Sequence, residues 1–327
     1  MLPYVFDCYF ARGVIESNET IVCREAAHMV EKSTFMDFEA LKITNQKGDE
    51  LIVVTEVGPR IISFRPEKGD NIFYVNEQDF DRKAKGPGKW RVYGGTRLWI
   101  SPESDLTYSP DNIRSETHVE DENVLIQGPV DPNTKLRKMI EIRVLPCLFH
   151  ITFGVKNEGT HLFSAGLWAL TCVTPHDGSE IFLPWGETSE WNVKDMKYWR
   201  SWLGSSTAVK SEQWRPTDEF FVVRPSGETG KVGFANRWGF ALYRAGDVSF
   251  IKYADYIESA FYPDGGCSFE VYTSKDFYEI ETLSPLFMMK PGLTYTHSET
   301  WWAGFDTVDV QSIGSAHRWI KAVFGEA

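Results

Sequence analysis

Short runs in which apolar and polar side chains alternate make up most of the sequence from about residue 36 onward. Residues 140–144 alternate in this way, and residues 151–155 repeat the pattern after Pro146. A period of two is the spacing of a β-strand with one buried face, and two such runs close together predict a paired hairpin. Comparable strand-like runs, many of them separated by glycine or proline, occur at residues 51–57, 61–64, 239–244, 248–253, 267–273, 278–283 and 293–302. Many short strands at this spacing predict an all-β sandwich or barrel.

Helical patterns are scarce. Residues 312–324 place Ile313, Ala316 and Ile320 on one face, which predicts a short amphipathic C-terminal helix packed on the body of the protein. We also interpret residues 194–203 as a short helix. The sequence has no alternation of strands with helices, no GxGxxG motif and no Walker loop, so a nucleotide-binding α/β fold is not expected.

One large domain is the preferred organisation. No internal repeat and no linker-like segment divides the 327 residues. We leave residues 1–35 unassigned as an N-terminal segment and predict that residues 36–327 form a single β-domain. The longest strongly apolar stretch, residues 163–173, has about half of the roughly 20 residues that a membrane-spanning helix needs.

The charge balance restricts the classes of partner. The chain carries 34 Lys and Arg against 46 Asp and Glu, a net charge of −12. Such a surface repels phosphate backbones and anionic lipid, so neither a nucleic acid nor a membrane is expected as a partner. The five cysteines are scattered, odd in number and without CxxC spacing. This pattern favours buried free thiols in a reducing compartment, and we expect a cytoplasmic protein.

Aromatic residues are abundant, at 14% of the chain with 12 Trp. Indole rings stack on the apolar faces of pyranose rings, although sheet packing explains most of these residues individually. The densest segment is residues 90–103, where Tyr93, Arg97, Trp99 and Glu103 surround two glycines. If a strand follows the glycines, Arg97 and Trp99 share one face, which suits a polyol. The alternative is a surface hairpin with a cation–π pair.

A second candidate segment contains two glutamates. Residues 277–283 predict a strand in which Glu279 and Glu281 share a face with Phe277 and Leu283. Two carboxylates side by side among apolar neighbours raise each other's pKa, as is typical of a general base. The alternative is an edge strand whose acidic face lies in water.

Histidine is the natural acid near neutral pH, and the sequence offers two candidates. His176 stands where a strand-like run gives way to a loop, and His118 lies on a predicted strand. The alternative for each is a structural role, which is the commoner one for a lone histidine. His297 and Glu299 share a face of the last long strand, but without HxH or HExxH spacing no metal site is expected.

Several motifs follow one another in a fixed order. They are Val57-Gly58-Pro59-Arg60-Ile61, Asn71-Ile72-Phe73, Tyr93-Gly94-Gly95-Thr96-Arg97-Leu98-Trp99, Pro102-Glu103, Tyr262-Pro263-Asp264-Gly265-Gly266-Cys267, Glu279-Ile280-Glu281-Thr282-Leu283-Ser284-Pro285-Leu286, Pro291-Gly292 and His297-Ser298-Glu299-Thr300-Trp301. In this order they resemble the galactose-mutarotase-like superfamily, and most closely a bacterial branch related to aldose 1-epimerases. The resemblance covers about residues 40–305 and implies a large antiparallel β-supersandwich with a sugar cleft on one sheet.

The resemblance also implies a reaction. In aldose 1-epimerases a glutamate on a late strand takes the proton of the anomeric hydroxyl, and a histidine protonates the ring oxygen. Glu281 matches that glutamate, because it lies on the late acidic strand before the Pro-Gly turn. The histidine's expected place is near Trp168, so His176, and after it His118, are chosen as the acid on plausibility.

The expected substrate is a small sugar or oligosaccharide. The candidates for binding it are Tyr93, Arg97, Trp99, Glu103, Trp168 and Glu279. Mutarotation moves protons only, so neither a cofactor nor a metal is expected.

Two other functions remain open. One is a carbohydrate-binding module that has lost the catalytic acid. The other is a polysaccharide lyase or glycoside hydrolase on the same scaffold. A hydrolase requires two carboxylates across a cleft, for example Glu103 and Glu281. In a lyase, Arg97 would neutralise the uronate carboxylate.

Overall fold

The described part of the chain is almost entirely β-strand. A computed structural model of the protein describes residues 29–81, 89–185, 194–199, 201–202, 205–206, 209–224, 226–305 and 307–325. Within these residues the strands are β1 (Met29–Phe35), β2 (Phe38–Thr44), β3 (Glu50–Val54), β4 (Arg60–Arg65), β5 (Thr96–Ser101), β6 (Glu116–Glu120), β7 (Asn123–Val130), β8 (Leu136–Val144), β9 (Phe149–Asn157), β10 (Phe163–Val173), β11 (Glu180–Pro184), β12 (Lys197–Tyr198), β13 (Ser201–Trp202), β14 (Ser205–Ser206), β15 (Trp214–Pro216), β16 (Phe220–Val223), β17 (Gly230–Phe234), β18 (Phe240–Ala245), β19 (Val248–Tyr253), β20 (Phe269–Thr273), β21 (Tyr278–Leu283), β22 (Phe287–Met289) and β23 (Thr294–Gly304). A 3₁₀ turn at Glu77–Phe80 and the helix α1 (Ile313–Phe324) complete the described elements.

Two large antiparallel sheets contain nearly all of these strands. The first runs β1-β2-β3-β4-β5-β10-β21-β20-β17-β12, with β22 paired to the start of β10. The second runs β15-β16-β11-β18-β19-β23-β9-β8-β7-β6. Strands distant in the chain become neighbours, as β10 does with β5 and β21. The position of a side chain in the fold therefore depends on strand pairing as much as on local sequence.

The main core lies between the two sheets. Phe64, Phe73, Phe250 and Trp301 meet there in edge-to-face and stacked contacts, with ring centres 5.6 to 6.2 Å apart. Each of these side chains is buried. Aromatic rings of this size bury a large apolar area, and their packing fixes the distance between the sheets.

Most of the strand predictions are confirmed. The predicted all-β antiparallel sandwich with a short C-terminal helix is the observed architecture. Residues 140–144 and 151–155 lie on β8 and β9, which pair as a hairpin. The apolar stretch 163–173 forms β10, an interior strand. Within the described residues, no helix is long and apolar enough to cross a membrane.

The predicted helix at residues 194–203 is wrong. Its described residues contain β12 and β13, and Lys197 and Tyr198 pair with β17 at the edge of the first sheet. Pairing with an open sheet edge has overridden a weak local helical pattern.

Two cysteines, Cys172 and Cys267, are buried free thiols as expected, whereas residues 8 and 23 lie outside the described residues.

The C-terminal helix covers the outer face of the second sheet. The side-chain oxygen of Ser312 accepts a hydrogen bond from the backbone N–H of Ser315 and caps the helix. Ile313, Ala316 and Ile320 are buried in a cluster that includes Trp302. Because Trp301 and Trp302 are consecutive in β23, the first faces the main core and the second faces the helix.

Replacing Ile320 with Ala tests this packing. Ile320 is fully buried, so we expect the free energy of unfolding to fall by about 2–5 kcal/mol, measured by urea denaturation. Arg318→Ala is the control, because Arg318 is exposed on the same helix and such substitutions change stability by about 0.5 kcal/mol or less. Equal effects of the two variants would contradict the packing described.

Candidate functional site

Five neighbouring strands of the first sheet, β5, β10, β21, β20 and β17, present charged and aromatic side chains on one face. Their register sets Trp99 opposite Trp168, Arg97 opposite Leu170, Leu170 opposite Glu281, Glu281 opposite Glu270, and Tyr272 opposite both Glu279 and Lys231. Directly paired residues project to the same side of a sheet. The other face of the same strands packs into the main core.

This face forms the floor of an open cavity. The cavity is lined by aromatic and charged side chains with one leucine, namely Trp90, Arg97, Trp99, Glu103, Tyr108, Trp168, Leu170, Lys231, Tyr272, Phe277, Glu279 and Glu281. Aromatic walls around a few polar groups are typical of a small-molecule site. We call this cavity the cleft.

Glu281 is the most buried acidic group of the cleft. Its Oε2 accepts a hydrogen bond from Nε1 of Trp168 at 2.6 Å and another from Nζ of Lys231 at 2.7 Å. Its Oε1 has no hydrogen-bond partner among the described residues, although it is buried. A buried oxygen without a partner is costly, unless a ligand supplies the missing donor.

Lys231 bridges two carboxylates. Its Nζ lies 2.7 Å from Oε2 of Glu270 and 2.7 Å from Oε2 of Glu281. Burial alone would lower the pKa of Lys231, but these two carboxylates outweigh that effect and raise it. Lys231 is therefore held as a cation. Burial raises the pKa of Glu270 well above its usual range, Lys231 opposes the rise, and Glu281 adds to it.

Glu279 is a carboxyl group of the cleft whose pKa lies near neutral pH. Burial raises its pKa to about 7; Arg97 opposes the rise and Glu281 reinforces it. Nη2 of Arg97 lies 3.7 Å from Oε1 of Glu279, and Sγ of Cys172 donates to the same oxygen at 3.5 Å. The cleft thus contains one carboxyl group that exchanges a proton near pH 7, two residues away from Glu281.

Several donors of the cleft also lack partners. Among the described residues, Nε1 of Trp90, Nε1 of Trp99, and Nε and Nη1 of Arg97 are buried without a hydrogen-bond partner. Together with the acceptor Oε1 of Glu281, these donors belong to residues that line the same cleft. A sugar offers hydroxyl groups, each of which donates and accepts, and an apolar ring face for the indoles.

The structure brings most of the predicted site residues together. Arg97, Trp99, Glu103, Trp168, Glu279 and Glu281 all line the cleft. The predicted shared faces of Arg97 with Trp99 and of Glu279 with Glu281 are confirmed. The alternative of an edge strand for residues 277–283 is wrong, because β21 lies between β10 and β20.

Three predicted residues do not line the cleft. Tyr93 is buried against Phe80, with ring centres 5.0 Å apart, because the glycines after it turn the chain before β5 begins. His118 is exposed on β6, the edge strand of the other sheet. His176 is exposed in the loop after β10. For this reason neither histidine is carried forward as an acid acting in the cleft.

Residue-level reasoning missed Lys231, Glu270, Tyr108 and Tyr272. Glu270 and Tyr272 share the phase of an alternating run, residues 267–273, which was a usable signal. Lys231 gave no such signal, because only strand pairing brings it to the two glutamates. Within the described residues, no three His, Cys, Asp or Glu side chains come together as a metal site would require.

Comparisons with known proteins establish the fold. No protein-family model matches the sequence, and no curated protein matches it. A galactose mutarotase-like protein from Clostridium acetobutylicum has a TM-score of 0.55 at 10% identity, over 86% of this chain and 99% of its own. A galactose mutarotase-like protein from Lactobacillus casei has a TM-score of 0.52 at 9% identity, over 81% of this chain and 100% of its own. A candidate aldose 1-epimerase from Escherichia coli has a TM-score of 0.56 at 11% identity, over 85% of this chain and 100% of its own.

The chain therefore has the galactose mutarotase-like sandwich fold, and the resemblance seen in its motifs is confirmed at that level. At about 10% identity the similarity extends to the fold and not to activity.

The protonation of Glu279 can be tested directly. In protein labelled with ¹³C at glutamate carboxyl groups, we expect one signal to titrate with a pKa of about 7, because burial disfavours the charged form of Glu279. Glu279→Gln should remove that signal. A set of glutamate signals that all titrate well below neutral pH would contradict the environment described.

Proposed function

We propose that the protein binds a carbohydrate in the cleft and interconverts the anomers of an aldose by general acid–base catalysis. The observation that carries this proposal is Oε1 of Glu281, a buried acceptor without a described partner at the floor of an aromatic-lined cavity. A buried carboxylate oxygen with nothing to bind is suited to take a proton from a substrate hydroxyl.

The walls of the cleft support a sugar as substrate. Trp99 and Tyr108 meet edge to face, with ring centres 5.3 Å apart, and Trp90 adjoins Tyr108 at 5.7 Å. Because the ring of Trp99 is buried against Arg97 and Lys138, the half-buried rings of Trp90 and Tyr108 are the flat surfaces that suit stacking on a pyranose ring. The unpartnered N–H groups of Trp90, Trp99 and Arg97 are available to accepting hydroxyl oxygens.

The proposed reaction consists of balanced proton transfers. Glu281 takes the proton of the anomeric hydroxyl on Oε1, the bond from C1 to the ring oxygen breaks, and the protonated Glu279 gives its proton to the ring oxygen. The sugar is then an open-chain aldehyde, and rotation about the C1–C2 bond presents the other face of the carbonyl. On reclosure Glu279 recovers its proton from the hydroxyl and Glu281 returns its own to the carbonyl oxygen.

Glu279 takes the role assigned to histidine in the sequence-based expectation. No histidine is among the described residues that line the cleft. A carboxyl group with a pKa of about 7 is protonated in a large share of the molecules at neutral pH. Its pKa matches the working pH, which is the condition for an efficient general acid. The mutarotase-like fold of the structural neighbours is consistent with this chemistry.

Anomeric exchange measured by ¹H NMR tests the proposal. Saturation transfer between the α and β anomeric protons is followed for a panel of neutral aldoses and uronic acids. We expect acceleration for at least one sugar, and Glu281→Gln should reduce the acceleration by about 10²–10⁴-fold because the base is lost. Glu258→Gln is the matched control, since Glu258 is an exposed glutamate that forms a salt bridge with the surface residue Arg237.

Binding without catalysis is the second candidate. It is favoured by the fixed Oε2 of Glu281 and by the absence of histidine from the described lining. Saturation transferred from protein to sugar with no gain in anomeric exchange would overturn the catalytic proposal and support a carbohydrate-binding module. Release of reducing or unsaturated ends from polysaccharides would instead indicate a hydrolase or a lyase.

The proposed acid predicts the pH dependence. Glu279 donates a proton only when protonated, so the protein-dependent rate should fall as the pH rises through about 7. The measurement is the anomeric exchange rate from pH 5 to pH 9, after subtraction of the protein-free rate at each pH. A rate that stays flat or rises through neutrality would exclude Glu279 as the acid.

A further inference from the structure

Two donors hold one oxygen of the proposed base. Nζ of Lys231 and Nε1 of Trp168 both donate to Oε2 of Glu281, at 2.7 and 2.6 Å. Neither reaches Oε1, the oxygen that lacks a described partner. A carboxylate bonded at one oxygen by two buried donors cannot rotate freely about its last torsion. The free oxygen therefore keeps a fixed direction relative to the cleft.

The ammonium group of Lys231 is itself enclosed. Its Nζ lies 4.3 Å from the ring centre of Trp168 and 5.2 Å from that of Trp199. Two indole faces and the carboxylates of Glu270 and Glu281 surround it. Indole faces attract cations most strongly where water is excluded, and Lys231 is almost fully buried. We call this enclosure the lysine cage.

The neighbouring strands are shaped around the lysine cage. Gly233 lies two residues beyond Lys231 on β17 and pairs with Glu270 on β20. A Cβ at Gly233 would stand 2.7 Å from Cγ of Glu270, too close for any side chain. Glycine at this position leaves the space that the side chain of Glu270 occupies beside Lys231.

Stability does not explain this arrangement well. Buried ion pairs are often replaceable by apolar side chains of similar volume without loss of stability. Here two carboxylates share a single lysine, and burial keeps the pKa of one of them, Glu270, well above its usual range. The arrangement is better explained by what it does to Glu281, which lines the cleft.

We propose that Lys231, with Glu270 as its counter-charge, is a positioning residue that fixes the carboxylate of Glu281 for proton transfer at Oε1. This inference rests on the proposed function of Glu281. Lys231 acts through Glu281 and not on the sugar. Misplacing a reacting group by about 1 Å can cost about 100-fold in rate. Without Lys231 the carboxylate of Glu281 loses one of its two donors and can move by such a distance.

Lys231 also affects the proposed acid. Burial raises the pKa of Glu279, and the positive charge of Lys231 is among the influences that oppose this rise. The other charged and titratable groups that face this cluster from the described elements around it are Arg97, Glu103, Tyr108, Cys172, Asp264, Glu270, Tyr272 and Glu281. Removing Lys231 leaves an excess of carboxylates, so the pKa of Glu279 should rise further.

Substitution of Lys231 tests both effects. Lys231→Met should lower kcat for anomeric exchange by about 100-fold with little change in sugar affinity, and should move the alkaline fall in rate to higher pH. Lys231→Arg keeps the charge but not the geometry, so it should lower kcat and leave the alkaline fall in place. Lys275→Met is the matched control, because Lys275 is exposed in the turn between β20 and β21, and it should behave as the unmodified protein.

Chemical rescue separates positioning from a general structural role. Lys231→Ala should regain rate when methylammonium is added, because the lysine cage then accepts a free cation. Methanol, of similar size but uncharged, should not restore the rate. Circular dichroism and sugar binding, measured on the same samples, establish that the variants are folded. If Lys231→Met does not fold, Lys231→Arg and the rescue of Lys231→Ala carry the test.

The outcomes are distinguishable. If the unmodified protein accelerates exchange but a folded Lys231→Met matches Lys275→Met in rate and pH profile, the positioning role is overturned and the proposed function stands. The absence of rescue by methylammonium in folded Lys231→Ala counts against the inference in the same way. If the unmodified protein gives no acceleration for any sugar, the proposed function fails, and the positioning role in that reaction fails with it.

Discussion

The pairing of β10 with β5 on one side and β21 on the other is the constraint on which the site depends. It sets Trp168 beside Trp99, and Leu170 between Arg97 and Glu281. Because side chains alternate along a strand, a shift of one residue in either pairing would turn the cleft-facing side chains of one strand toward the core. The centre of the cleft therefore depends on three strands drawn from separate parts of the chain, and β20 and β17 extend it.

Buried charge compensation occurs on both faces of these strands. On the core side, Nζ of Lys252 from the second sheet donates to the carbonyl oxygens of Ala169 and Ile280, at 3.1 and 2.9 Å, and pairs with Glu299 at 3.2 Å. Ala169 lies on β10 and Ile280 on β21, directly between the residues that face the cleft. Lys252 thus links β10 and β21 on the core side of the sheet, while Lys231 neutralises carboxylates on the cleft side. Burial of both lysines is tolerated because each has an acidic partner.

The alternation of apolar and polar residues predicted the strands and the faces that their side chains share. The period of two identified most strands, and it correctly placed Glu279 with Glu281 and Arg97 with Trp99 on shared faces. It could not say which strands become neighbours, and so it missed Lys231, whose meeting with Glu270 and Glu281 depends on pairing across β17, β20 and β21. The two exposed histidines were chosen for their chemistry and their place along the chain, neither of which predicts a position in the cleft.

The crowding of like charges offers a physical reason why a site of this kind can do without histidine. Among the described residues, the cleft and its floor hold the carboxyl groups of Glu103, Glu270, Glu279 and Glu281 against the cations of Arg97 and Lys231, with Lys138 over the ring of Trp99. Carboxyl groups this close and this buried cannot all be charged, so some retain protons at a pH where an isolated carboxyl has lost its own. Two N–H donors bond Oε2 of Glu281, whereas burial raises the pKa of Glu279 to about 7, with Cys172 and Arg97 at its Oε1. The proposed base and the proposed acid thus stand on one strand in different surroundings, which is how two carboxyl groups come to take different roles.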